Sequence, residues 1–231
     1  MMTSTADIRR MLAEIESGEA TDQAEKSLLL AEIPTLARYL NRHVSAAWMK
    51  LATGIMDDPG HYDSSYPPDE YVAARTKKRL LRVSYPTTTE RETSGGFYGT
   101  FDISTDEPGV AIGTDGTIYS IDEAGTAKTS PYAAYPGTDH RDIHLSYRPV
   151  ASPDLDVLRS AANLLRTMRA ALTADSPAPY IADDERGVVI AALHNPRLTA
   201  NDAEHAYTTT TSRAVKAVAG ARMTKLQGKA S

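Results

Sequence analysis

The chain has 231 residues, a formal net charge of −5, 41% hydrophobic content and no cysteine. This is enough apolar material for one large domain or two small ones, and the lack of thiols excludes a disulfide scaffold, a thiolate zinc site, an iron–sulfur cluster and a cysteine nucleophile. Met1 to Arg10 has no apolar signal-like run and no segment approaches a membrane span, so a cytosolic protein, or one packaged in a virion without a signal, is expected, with no membrane partner. Twelve Tyr against two Phe and one Trp leave Leu, Val, Ile and Ala to build the core. The negative charge argues against a protein that coats nucleic acid over its whole surface, though not against a local basic patch.

Ile8, Met11, Leu12 and Ile15 recur at helical spacing and predict a short first helix over Ala6 to Ser17, stopped by Gly18. Thr21 and Asp22 then offer an N-cap for the longest apolar stripe, Ala24 to Met56. Its Leu29, Ile33, Leu36, Leu40, Val44, Trp48, Leu51 and Ile55 are spaced by threes and fours. Pro34 removes one helical hydrogen bond inside this stretch, and because the stripe keeps its phase across the proline, a kink is expected rather than two helices.

Asp57 to Asp69 reads as a loop, with Pro59, Gly60, Pro67 and Pro68. Glu70 to Leu81 reads as a helix. From about Leu80 the pattern turns to strands: Arg82 to Tyr85, Gly96 to Ser104, Gly109 to Gly113 and Thr117 to Asp122, with a tight hairpin at Thr114-Asp115-Gly116. Thr126 to Thr138 is rich in turn residues, and Ile143, Leu145 and Tyr147 alternate with His144, Ser146 and Arg148 as in a half-buried strand.

Ser152-Pro153 is expected to open a helix whose stripe is Leu158, Ala161, Ala162, Leu165, Met168 and Leu172. Beyond a linker at Ser176 to Pro179, three short Ala-rich helices are predicted at Arg186 to His194, Thr199 to Tyr207 and Ser212 to Met223. Thr199 and Asp202 form a loose capping box, and Asn195-Pro196 makes a break. The expected fold is α+β. A main domain over 1–175 pairs the long N-terminal helix with the helix at 153–173 and carries a small antiparallel β insertion at about 80–149. A helical unit over 180–231 follows.

Three stretches could carry function. In the C-terminal unit, Leu198-Thr199, Asp202-Ala203, Ala206 and Ser212 to Val218 resemble the two helices of helix-turn-helix regulators. That resemblance implies nucleic-acid contacts near Thr210, Thr211, Arg213 and Lys216. Five basic residues and no acidic ones lie from Arg213 to the end, but Tyr207 and four threonines stand where the family's glycine-containing turn would be. The same region resembles HEAT-like helical repeats, with Asn195-Pro196 as the break between repeats.

The second stretch is Arg75, Lys77, Lys78 and Arg79, with Arg82 beyond, a cluster able to hold a phosphate backbone. The third is His140, Asp142 and His144, which share one face of a strand and could ligate a divalent metal for hydrolysis. Nucleotide-binding loops, the GxSxG elbow and HExxH are absent from the sequence, and no cofactor is implied. Asp22 to Arg42, with Leu28 to Leu30, Leu36, Tyr39-Leu40 and Arg42, resembles the early helices of phage head-to-tail connector proteins, which implies self-assembly. The leading expectation is therefore a non-enzymatic, nucleic-acid-associated protein. A self-assembling virion component and a metal-dependent hydrolase are the alternatives.

Overall fold

In the computed structural model, residues 22–50, 79–94, 99–129 and 140–228 are described. The fold is α+β. Helix α1 (Asp22–His43) is followed by a 3-10 turn (Ser45–Ala47). Strands β1 (Met49–Lys50), β2 (Arg79–Ser84), β3 (Thr87–Ser94), β4 (Gly99–Glu107), β5 (Gly109–Gly113), β6 (Ile118–Thr129) and β7 (His140–Pro149) form one antiparallel sheet. Helices α2 (Leu155–Thr173), α3 (Ala178–Ile181), α4 (Arg186–Leu193), α5 (Ala200–Thr209) and α6 (Arg213–Gln227) complete the chain. The expected first helix and the loop at 57–69 lie outside the described residues. So does the helix expected over Glu70 to Leu81, except that its last three residues, Arg79 to Leu81, are strand.

The expected pairing of α1 with α2 is present, and its direction is written in its ion pairs. Arg159 grips Glu25 with both arms of its guanidinium (Nε to Oε1 2.9 Å), and Arg166 grips Glu32 in the same way (2.8 Å). Both pairs span 134 positions, so the two helices advance together and are parallel. A short loop can join only antiparallel neighbours. A parallel pair needs a long connection, and the sheet segment is that connection. The exposed pairs contribute little stability individually. The apolar stripes do more, burying Leu29, Ile33, Leu36 and Leu40 against Leu158, Ala161, Leu165 and Met168.

Helix α1 runs unbroken through Pro34 but ends at His43, well short of Met56. Val44, Ala47 and Trp48 still reach the same core, from a 3-10 turn and its flanks rather than from the α-helix. As far as Trp48 the stripe marks burial correctly, but beyond His43 it does not mark α-helix; Leu51 to Met56 lie outside the described residues. The Arg79 side chain closes this end: its Nε donates to the Trp48 carbonyl (3.0 Å) and its Nη2 to that of Ser45. Helix α2 likewise begins later than expected. Asp154 is its N-cap, Pro153 is buried ahead of it, and the Ser152 hydroxyl accepts from Lys26.

The sheet is larger than the sequence suggested. Thr87 to Ser94, not expected as a strand, is β3, and β6 continues through Thr129 into the stretch read as turns. Threonines there are strand formers by virtue of their branched Cβ. Strands β2 and β3 form one long line bent at Tyr85-Pro86, paired with a second line, β5 and β4, bent at Pro108. Prolines cannot donate to a ladder, so two of them at one level interrupt it and permit the bend. Opposite, Ile103 pairs with Gly125 and Gly109 with Ile121. Five residues thus face three, and the Thr105 hydroxyl fills the gap by bonding both the N–H and the carbonyl of Glu123.

The bend divides the sheet. Its proximal half sends Leu81, Ile112 and Ile118 into the helical core. Among the described residues, the distal half, β3 and β4 with the paired parts of β6 and β7, packs chiefly on itself, with Ile103 and Phe101 as a small cluster. It forms a polar arm.

Helix α4 is buried from Gly187 to Leu193, as a helix apolar on all sides must be. One hydrophobic core runs from Leu29 through α2 and α4 to Ala219, across the boundary expected between 175 and 180.

Candidate nucleic-acid interface

Helices α5 and α6 occur where the sequence placed them, and their caps explain why. The Thr199 hydroxyl accepts from the Asp202 N–H (3.2 Å) while the Asp202 carboxylate accepts from the Thr199 N–H (3.1 Å), so the capping box is complete with Asp in place of Glu. The Ser212 hydroxyl caps α6 by accepting from the Val215 N–H (3.3 Å). Three residues, Thr210, Thr211 and Ser212, join the helices. Ala203 and Ala206 of α5 and Val215 and Ala219 of α6 are buried, and Tyr207 lies over Gly220.

The buried residues of α6 leave a solvent face made of Arg213, Lys216, Ala217, Ala221, Thr224, Lys225 and Gln227. Only basic, small and neutral side chains occur on it, and small residues at helical spacing let a partner approach the helix backbone closely. Sequence reading named Arg213 and Lys216, counted Lys225 only among the five basic residues of the tail, and did not single out the alanines between. The signal was there, in Ala217 and Ala221 repeating at i, i+4. Arg222 turns inward instead and comes within electrostatic reach of His194.

His194 follows α4, and its Nδ1 donates to the Ile190 carbonyl (2.9 Å) in the tautomer carrying the proton there. Burial pushes its imidazole below the ordinary range. The Ile190 bond opposes that shift and Arg222 adds to it. A depressed folded pKa means the neutral form belongs to the fold. The contribution is complete above about pH 6.5, the unfolded value, and is lost as pH falls through the lower folded one. Urea midpoints should therefore fall more steeply on acidification in the wild type than in His194→Gln; identical slopes would contradict this.

Among the other expected site residues, Arg75, Lys77 and Lys78 lie outside the described residues. Arg79 is exposed, with its guanidinium held on the carbonyls after α1. Arg82 is buried, its guanidinium carbon 4.3 Å from the Tyr85 ring centre. His140, Asp142 and His144 alternate along β7 opposite Lys128, Thr126 and Ala124, but their side chains lie outside the described residues. Among the described residues no group of three or more His, Asp or Glu is placed to hold a metal, and no helix is long and apolar enough to cross a membrane.

A shallow groove lies between α2, β2 and the loop before α4, lined by Val83, Asn163, Thr167, Asp183 and Glu185. Burial and the neighbouring Asp183 push the Glu185 carboxyl up, against the pull of Arg186. No family model, curated protein or solved structure matches the chain.

Proposed function

We propose that this is a non-enzymatic binding protein that associates with nucleic acid through the solvent face of α6. The observation that carries the reading is that face itself: Arg213, Lys216 and Lys225 around small residues on a capped helix, in a chain whose net charge is −5. Cationic side chains that neutralise phosphates release condensed counterions, so binding must weaken as salt rises. Fluorescence anisotropy of labelled duplex DNA should give an affinity that falls with salt. Arg213→Ala/Lys216→Ala should weaken it about 10-fold near physiological salt and lower the log–log salt slope by about two. Salt-independent or absent binding would eliminate the reading.

One observation favours a second reading, a self-assembling structural protein of the connector type. Among the described residues, the polar arm of β3, β4 and the distal parts of β6 and β7 packs chiefly on itself, which leaves strand surface that a neighbouring copy could cover. Light scattering decides: a strict monomer at high concentration counts against assembly.

A further inference from the structure

The α1–α2 pair changes character along its length. Its first two rungs are Glu25–Arg159 and Glu32–Arg166, each neutral. The same 134-position offset brings Tyr39 opposite Thr173, so the third rung has no carboxylate. Around it, Arg38, Tyr39, Arg42, His43 and Arg169 are all exposed. The Arg169 guanidinium carbon lies 5.6 Å from the Tyr39 ring centre, and the His43 ring centre lies 4.8 Å from it.

Among the described residues, Arg42, His43 and Arg169 form no ion pair with a carboxylate. Among the described residues, Arg38 has no ion pair and acts on Asp115 only at longer range. Just past His43, the Arg79 guanidinium is fixed on the carbonyls of Ser45 and Trp48.

Helix-dipole compensation accounts for part of this. Cations are favoured within the last helical turn, which holds Arg42 and His43 of α1, whereas α2 has no basic residue in its last turn. Arg38 and Arg169 stand upstream of that range. Among the described residues neither has a carboxylate partner in an ion pair, and Arg169 is already held near Tyr39 by a cation–π approach, which lowers the entropy it loses on binding.

The end of α2 is linked to α6 through α4 and the residues that follow it. The Asn195 side chain bonds the carbonyls at the C-terminal end of α2, and its neighbour His194 feels Arg222 of α6.

We propose that the C-terminal end of the α1–α2 pair, through Arg42 and Arg169 with Arg38 and His43, is a second phosphate-contacting surface on which a nucleic acid held at α6 continues. This rests on the nucleic-acid reading of α6 and adds to it a footprint longer than one helix. Tyr39 has neighbours at its ring, so the contact is to backbone phosphate rather than a stacked base.

The test uses the full chain and a labelled DNA duplex long enough to span both surfaces, titrated across a range of salt. Arg42→Ala/Arg169→Ala should bind about 10-fold more weakly near physiological salt, with the log–log salt slope reduced by about two, one unit per phosphate lost. The loss should add to that of Arg213→Ala/Lys216→Ala. If the alanine pair lowers the melting temperature, Arg42→Gln/Arg169→Gln, which keeps the aliphatic stems, replaces it. Unchanged affinity and slope in the α1–α2 variant, with weakening in the α6 variant, overturns this inference and leaves the α6 reading standing. No binding by the wild type removes both. Loss of binding to phosphatidylserine vesicles with duplex binding intact assigns the patch to a lipid surface and overturns the proposal.

Discussion

Gly116→Ala should destabilise the fold by about 3 kcal/mol and lower the melting temperature by about 6–12 °C, given the cost of left-handed backbone, overpacking and the size of the chain. Gly116 has a φ of +92° at the β5–β6 hairpin tip. There its N–H donates to the Gly113 carbonyl (2.9 Å), and the Asp115 carboxylate accepts from the Thr117 N–H (3.0 Å). That last bond is also the main reason the Asp115 carboxyl is held below its usual range. A Cβ on residue 116 would lie 2.4 Å from Pro34 Cα and 2.8 Å from Pro34 N. Both are backbone atoms of α1, and neither can swing aside. The substitution therefore strains the turn and pushes the sheet off the helix at once.

Gly220→Ala is the control. A Cβ there meets only the Tyr207 ring, at 3.5 Å and 3.7 Å, so the higher helix propensity of Ala should leave stability unchanged or raise it by up to about 1 kcal/mol. Calorimetry of the two variants checks both. Equal melting temperatures for Gly116→Ala and wild type would show that the hairpin tip does not bear on α1 as described.

Asn195→Ala should cost about 2–3 kcal/mol, and Asn195→Asp more, because of the unmet hydrogen bonds each leaves. Asn195 is fully buried. Its Nδ2 donates to the carbonyls of Ala171 and Ala174, both at 2.9 Å, and its Oδ1 accepts from the Arg197 N–H at 2.8 Å. Carbonyls in the last turn of a helix have no partner within the helix, and this side chain supplies one to the end of α2. Alanine leaves the Ala171 oxygen buried and unpaired. Aspartate is nearly the same size, but it sets a charged acceptor against two acceptors.

The two variants separate by pH. The repulsion raises the folded pKa of the introduced carboxyl above its unfolded value, so the extra penalty of Asn195→Asp is present at neutral pH and disappears as pH falls through the folded value. Denaturant midpoints at several pH values give the test. An aspartate variant as stable as the alanine one at neutral pH would refute the donor role of Asn195.

Much of this architecture was legible in the chain before any tertiary contact was known. The stripes of α1 and α2, the capping residues of α5 and α6, and the Asp115-Gly116 turn are local signals. Each is read from residues within a few positions of one another. The departures from these expectations lie in what each segment meets in the folded molecule. Trp48 and Val44 continue a helical spacing, yet Arg79, from a different part of the chain, takes the carbonyls of Ser45 and Trp48 and the backbone leaves the helix. Thr87 to Ser94 has no apolar alternation, and its described side chains are exposed or half-buried on both faces of the strand, whereas alternation marks only strands with one buried face. Pro153 looked like a first-turn proline but is packed against the core instead.

The candidate surfaces divide in the same way. Arg213 and Lys216 stood out as neighbours in sequence on a predicted helix. Arg169 and the Tyr39 to His43 turn of α1 did not, since nothing in either segment says that the other lies beside it. Spacing, capping and turn chemistry act over a few residues and are thus set by the chain itself: among the described residues, every helix longer than α3 and the hairpin at Asp115-Gly116. The parallel sense of α1 and α2, the burial of Asn195 and the meeting of Arg169 with Tyr39 follow only from long-range packing, because one hydrophobic core must cover both stripes and a long sheet excursion lets two helices far apart in sequence run side by side.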